Sequence, residues 1–408
     1  MQRFAQGTAQ VKSSGKLSAV CFASRFSGRQ VLRKIRAASL LLSVLLFPAA
    51  PGAAQEWLLR LHAARAAAVM PDWQKASQVL MTGIDGNTSF SPYLYRHFDG
   101  VVPGAVLLFG YNIGDTAEQV RAFLADCASA FRNIGTPAPV VFAIDHEGGD
   151  VYRTGRLTTR LPSARTVAST MTVREAEDLY AQAGKELFSL GIRLNLAPVA
   201  ECPPEDASFL GSRVFSPDPG KTAAYAAAAV RGFQSAGVLC AVKHFPGNAG
   251  NDPHASVAVV DVPPAECRER YFAPFYAVLR GQPAAVLVSH TVFSAVDNVP
   301  FCLSAKGVTG ILKGEMGFSG LVLTDDISME ALAAAGWPET KAAVAAIAAG
   351  CDMILTSSTD IRAITGALCA RAAEDPVFRI RLEEAAANVL FFKQRAALLS
   401  YGAETHVR

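Results

Sequence analysis

Eight short apolar runs, at residues 79–82, 104–109, 140–144, 192–197, 239–242, 284–288, 320–323 and 352–355, alternate along this chain with stretches of helical period. Each run is too short for a helix and apolar throughout, the pattern of a parallel strand buried on both faces. Between them, residues 117–134, 173–190, 222–236, 264–280, 305–316, 340–349 and 360–373 read as amphipathic helices, with a last one over 376–399. Several are alanine-rich, which suits close packing on a sheet. Eight β/α units predict an α/β fold, a (β/α)8 TIM-like barrel forming one domain.

Side chains that can do chemistry follow the runs. Asp145 comes after the third, Glu201 after the fourth, Lys243 and His244 after the fifth, Ser289-His290 after the sixth, Asp325-Asp326 after the seventh and Thr356-Ser357-Ser358 after the eighth. In a barrel those ends form one mouth. A doubly wound open sheet is the competing architecture, but it gathers function at a single switch point. The chain has no G-x-G-x-x-G after its first strand and no G-x-x-x-x-G-K-[ST], so nucleotide binding has no support. Two adjacent acids closing a buried strand imply a carboxylate that is desolvated or aimed into a pocket. The bland reading of Asp325 is a helix N-cap, a part that Asp326 could also play. Glu147 reads as structural, bonding backbone in a glycine-rich turn, while His290 is open between ligand contact and a hydrogen-bonded core histidine.

At 408 residues, 51% hydrophobic and 18% charged, the chain can bury a large core. The formal net charge of +3 misleads, because the first 55 residues carry eight basic side chains and no acid, which leaves −5 for the rest. That balance excludes a nucleic-acid binder. Arg33-Lys34-Ile35-Arg36, the apolar stretch 37–47 and the small residues up to Ala54 fit a secretory signal cleaved after Ala54, with translation starting at or near Val31. The expected division is therefore an extension and signal peptide at 1–54, or a membrane anchor if uncleaved, and a barrel at 55–408. A secreted or periplasmic place follows, with tethering to the inner membrane as the alternative. The eight cysteines have wide, irregular spacings and no C-x-x-C, so neither a disulfide framework nor a zinc site is expected.

Six motifs in order carry a resemblance: Leu107-Leu108-Phe109-Gly110-Tyr111-Asn112-Ile113, Ile144-Asp145-His146-Glu147-Gly148-Gly149, Leu161-Pro162-Ser163-Ala164, Asn195-Leu196-Ala197-Pro198-Val199, Lys243-His244-Phe245-Pro246-Gly247, and Thr324-Asp325-Asp326-Ile327-Ser328-Met329. Over residues 79–399 the chain resembles the single-domain β-N-acetylglucosaminidases of glycoside hydrolase family 3. The resemblance implies that Asp325 is a nucleophile forming a covalent glycosyl-enzyme. It implies that His254, oriented by Asp252, is the acid/base, in place of the second carboxylate that retaining glycosidases usually carry about 5 to 5.5 Å from the first. An imidazole, with an ordinary pKa of about 6.5, can give and retake a proton near neutrality. Asp145, Arg213, Lys243 and His244 would bind the terminal sugar, a small carbohydrate, and no metal, nucleotide or other cofactor is implied. A monomer is expected.

Three positions depart from the family pattern. The stretch from Gly247 to His254 is two residues shorter than usual, Asp150 stands where an Arg is usual, and Glu201 where an Asp is usual. The implied activity is release of single GlcNAc units from cell-wall muropeptide fragments, chitooligosaccharides or glycans. Two alternatives accompany it: phosphorolysis at the same site, since an imidazole does not repel an incoming phosphate, and a sugar-binding pseudoenzyme.

Overall fold

The structure, a computed structural model, describes residues 51–405 apart from 99, 204–208, 249–255 and 359–360. The chain divides into two compact units, Met1–Glu56 and Trp57–Arg408. The first lies almost wholly outside the described residues, as does most of the expected signal segment. The second holds the barrel.

Eight strands are buried along their whole length, which is why each reads as a continuous apolar run: β1 (Leu80–Thr82), β2 (Ala105–Leu108), β3 (Val141–Ile144), β4 (Leu194–Asn195), β5 (Leu239–Phe245), β7 (Ala285–Val288), β9 (Leu321–Thr324) and β10 (Ile354–Thr356). They pair in parallel in the order β10-β1-β2-β3-β4-β5-β7-β9. The two ends of that order meet through a parallel bridge between Leu323 and Met353, with Thr324 N donating to Met353 O at 3.1 Å. The sheet therefore closes into the expected (β/α)8 barrel. Every expected run holds one barrel strand.

Beneath the closing seam sits a fully buried carboxylate, Asp352. Lys313 Nζ reaches both its oxygens at 3.0 Å, Asn388 Nδ2 donates at 2.9 Å and the Val322 amide at 3.1 Å, and Arg381 adds an ion pair. A buried acid so fully satisfied ties β9, β10 and the C-terminal helix together at the end opposite the mouth.

The helices begin where side chains can cap them. Thr116 accepts from Gln119 N at 3.1 Å to open helix Ala117–Ile134, which Gly135 ends at φ 108°. Thr172 and Glu175 form a reciprocal capping box at the head of Val173–Ser189. That helix crosses Pro219–Ser235 closely because Gly232 faces it, where a Cβ would meet Glu177 O at 2.5 Å.

The structure differs from expectation in its helices and in a second small sheet, and it adds helices Pro51–Val69 and Glu330–Ala334 that no expected element covers. The segment expected to be helical over 264–280 is α-helical only at Pro264–Glu266 and Ala273–Leu279, with a π-helical stretch Cys267–Phe272 between them, and Lys306–Glu315 is π-helical throughout. Three short helices, Asp72–Gln78, Pro92–His97 and Ala164–Thr170, span two turns or fewer, too short for an apolar period to show. A two-stranded parallel sheet, β6 (Val259–Val260) with β8 (Val292–Phe293), lies outside the barrel. The seven described cysteines are free, and six are buried.

Candidate active site

Asp325 follows β9 directly and is 8% exposed. Its backbone N–H donates to Val288 O at 2.9 Å, so the strand pairing continues up to the residue that must be placed. Burial raises its pKa, but His244, His290, the Asp326 amide and Lys243 outweigh that and hold the carboxyl below the ordinary aspartate range. The Asp326 amide donates to Asp325 Oδ1 at 2.9 Å. Asp325 is therefore an ionised carboxylate at a strand end, not a cap.

Asp326 takes the structural part. Its carboxylate accepts from Ser328 N at 2.9 Å, from Ser328 Oγ at 2.6 Å and from Ser357 N at 3.0 Å, with Ser357 Oγ as a further donor. These bonds tie the end of β9 to the end of β10. His290 is a core histidine: Nδ1 meets Cys302 Sγ at 3.2 Å and Nε2 meets Asp326 O at 2.9 Å, so both ring nitrogens are used inside the protein.

Three of the four sugar-site residues expected from sequence, Arg213, Lys243 and Asp145, join in one cluster with the buried Glu147. Glu147 takes Arg213 Nε on Oε2 at 2.8 Å and Arg213 Nη2 on Oε1 at 2.9 Å, and Lys243 Nζ lies 2.6 Å from Oε1. Lys243 also bonds Asp145. Two cations face two carboxylates, an arrangement without net charge that suits a neutral ligand. Burial opposes ionisation of Glu147, but Lys243 and Arg213 together pull it down to about 2. Burial likewise opposes the charge on Lys243, and Asp145 and Glu147 reverse this and raise its pKa. Glu147 is thus structural as expected, but its partners are side chains of the site, not turn backbone.

Asn195 fixes the segment that carries both acids. Its Oδ1 accepts from His146 N at 3.0 Å and its Nδ2 donates to His146 O at 2.9 Å. The His146 ring between them is buried, and burial pushes its pKa down to about 4, so it stays neutral at ordinary pH.

Glu201, which sequence reading placed after the fourth run and marked as a departure, organises the other side. It is 1% exposed, bonds His244 Nδ1, and accepts from Asn248 N at 2.6 Å and Asn248 Nδ2 at 3.2 Å. One carboxylate therefore fixes the imidazole and the start of the following loop, as the acid of a Ser-His-Asp triad fixes its histidine. Asp150, the other departure, accepts from Ser212 Oγ at 3.0 Å beside Arg213. Arg153 is a residue that sequence reasoning missed: its Nε is buried with no protein partner, in the loop after β3. A ligand oxygen would satisfy it. Asp252 and His254 lie outside the described residues, as does the shortened part of their loop.

Asp325 at the mouth of the barrel, beside a charge-balanced cluster of donors and acceptors, suits the chemistry of a glycoside hydrolase, and the chain's relatives place it in that class. Residues 99–390 match the model of the glycosyl hydrolase family 3 N terminal domain. A Beta-hexosaminidase of Xylella fastidiosa is 33% identical over 293 residues, 69% of this chain and 84% of that protein, and one of Pseudomonas aeruginosa is 34% identical over 253 residues, 61% of this chain and 74% of that protein. Among solved structures, the beta-N-acetylhexosaminidase of Beutenbergia cavernae superposes with a TM-score of 0.72 at 30% identity, covering 80% of this chain and 99% of that one. The family 3 beta-N-acetylglucosaminidase of Paenibacillus sp. FPU-7 gives a TM-score of 0.77 at 29% identity over 81% of this chain, which spans 63% of that structure's length. The chain belongs to glycosyl hydrolase family 3.

Proposed function

We propose that the protein is a retaining exo-β-N-acetylglucosaminidase. The observation that carries this reading is the ionised, buried Asp325 beside the Asp145, Lys243, Arg213 and His244 cluster. The names of the relatives support the amino-sugar specificity. In the first step an Asp325 carboxylate oxygen bonds to the anomeric carbon as the glycosidic C–O bond breaks, and the His254 imidazolium gives its proton to the leaving oxygen. In the second, water attacks the same carbon, His254 takes the water's proton, and the Asp325 carboxylate departs. Asp252 holds the imidazolium. Asp145 accepts from sugar hydroxyls, and Lys243, Arg213 and Arg153 donate to sugar oxygens, which orients an uncharged ligand.

The substrates we propose are non-reducing GlcNAc ends of muropeptide fragments, chitooligosaccharides or glycans, met outside the cytoplasm after export through the signal segment. No described helix is long and apolar enough to cross a membrane. The test compares release of nitrophenol from the β-N-acetylglucosaminide and the β-glucoside by wild type, Asp325→Ala and His254→Ala, with and without phosphate. Selective aminosugar turnover, lost in Asp325→Ala and unaffected by phosphate, is the expected result. Turnover of neither substrate with GlcNAc still bound would mean a sugar-binding pseudoenzyme, and GlcNAc 1-phosphate as product would mean a phosphorylase.

A further inference from the structure

Tyr111 is an aromatic side chain left 57% exposed just beyond the C-terminal end of β2, on the rim of the mouth. One face of its ring is covered by Phe109, with centroids 5.5 Å apart and planes at 12°, so the other face is the exposed one. The stack is built, not incidental. Asn112 Oδ1 accepts from Phe109 N at 2.8 Å, and Asn112 Nδ2 donates to Ile84 O and Gly86 O, each at 2.8 Å, which pins the turn to the segment after β1. Gly83 leaves room for the Phe109 ring, since a Cβ there would lie 3.2 Å from it.

The stack also has a defined place relative to the sugar site. Leu108 pairs with Ile144 in the β2–β3 register, so the next residues, Phe109 and Asp145, leave the barrel on neighbouring strands about 4.8 Å apart. Tyr111 lies two residues further out along the chain. A terminal sugar held by Asp145, Lys243 and Arg213, as proposed above, would have the rest of its chain on the outward side, towards this rim. We infer that Tyr111, backed by Phe109, is a stacking platform for the aglycone: it takes the apolar C–H face of the next pyranose ring and sets preference for oligosaccharides over small glycosides. The flat, rigid pair loses little entropy on binding, and the open face is desolvated only when a ring covers it.

This inference rests on the proposed glycosidase activity, and the experiment separates the two. Hydrolysis of the GlcNAc–GlcNAc disaccharide and of methyl β-N-acetylglucosaminide is compared for wild type, Tyr111→Ala, Tyr111→Phe and Tyr111→Trp. Tyr111→Ala is expected to lose about tenfold in kcat/KM on the disaccharide and to stay within about twofold on the methyl glycoside, with Tyr111→Phe and Tyr111→Trp retaining disaccharide activity. An equal loss on both substrates, no loss on the disaccharide, or a Tyr111→Phe loss as large as that of Tyr111→Ala would overturn the platform while leaving the glycosidase reading intact. A wild type inert on both substrates would remove that reading and the platform with it.

Discussion

Arg213 grips Glu147 side-on through two parallel bonds of 2.8 and 2.9 Å, and Lys243 closes on the same carboxylate at 2.6 Å. The acid has no room to bind substrate as well. It sets the positions of the two cations proposed to bind the sugar, which makes the Glu of the glycine-rich turn a positioning residue for groups on β5 and on the loop after β4.

Glu147→Ala would leave the buried Lys243 and the half-buried Arg213 short of a counter-charge, and a loss of about 3 to 5 kcal/mol is expected in urea unfolding at pH 7. The carboxyl sits at about 2 in the folded protein against an ordinary 4.5. A depressed folded-state pKa means the contribution is complete above the ordinary value and disappears as pH falls from about 4.5 towards 2. The difference between wild type and variant should shrink over that window. A variant as stable as wild type at pH 7 would remove Glu147 from this role.

Glu201 fixes the His244 ring and the Asn248 amide together, so its replacement should act on turnover. Glu201→Gln keeps the size but can leave the His244 ring in the wrong tautomer or turned, and a fall of about tenfold to a hundredfold in kcat/KM is expected. Glu201→Asp restores the charge with one methylene less and cannot reach His244 Nδ1 and the Asn248 amide together. It should recover only part of the activity. If Glu201→Asp matched wild type, the longer side chain would have no bearing on the site.

The barrel was legible because burial on both faces leaves an unbroken apolar run, and polar residues at six successive run ends can share a place only if the sheet closes. Asp325, Lys243, His244, Asp145 and Arg213 were legible through motif order. What could not be read was who pairs with whom. Glu147 and Arg213 are 66 positions apart and Glu201 and His244 are 43 apart, and no local pattern reports a contact made by folding. Asp325 and Asp326 look alike in sequence; Ser328 and Ser357, which saturate Asp326, separate the structural acid from the one proposed as nucleophile. The helices at 264–279 and 306–315 were visible by period, but their π-helical winding was not.

The electrostatics of Asp325 predict the acid side of the pH profile. Burial raises its pKa, yet His244, His290, the Asp326 amide and Lys243 outweigh that and keep it below the ordinary value. The carboxylate therefore stays ionised as the medium is acidified, and the acidic limb it imposes on kcat/KM should fall below the ordinary aspartate range of about 3.9. Asp325→Ala should lose about ten-thousandfold or more in kcat. Added azide should partly restore turnover of an activated substrate and give the α-glycosyl azide, because a small anion then enters from the face the carboxylate occupied. A β-configured azide product would contradict a retaining nucleophile at this position.

Lys393 is a buried cation of the C-terminal helix with no part in this chemistry. It is 6% exposed, with Nζ donating to Gln78 Oε1 at 2.6 Å, and burial pushes it down to about 7 from an ordinary 10.5. The unfolded chain therefore holds this proton more strongly between pH 7 and 10.5, so folding stability owed to Lys393 rises with pH across that window and the cost of burying the charge is complete below it. Lys393→Met removes that cost but leaves Gln78 Oε1 without its donor. The balance is a gain of about 2 to 4 kcal/mol at pH 7, shrinking towards zero or reversing near pH 10. Unfolding in urea at the two pH values measures it. Equal differences at both would mean that Lys393 is not titrating in the folded protein, and that its burial is supported by more than Gln78.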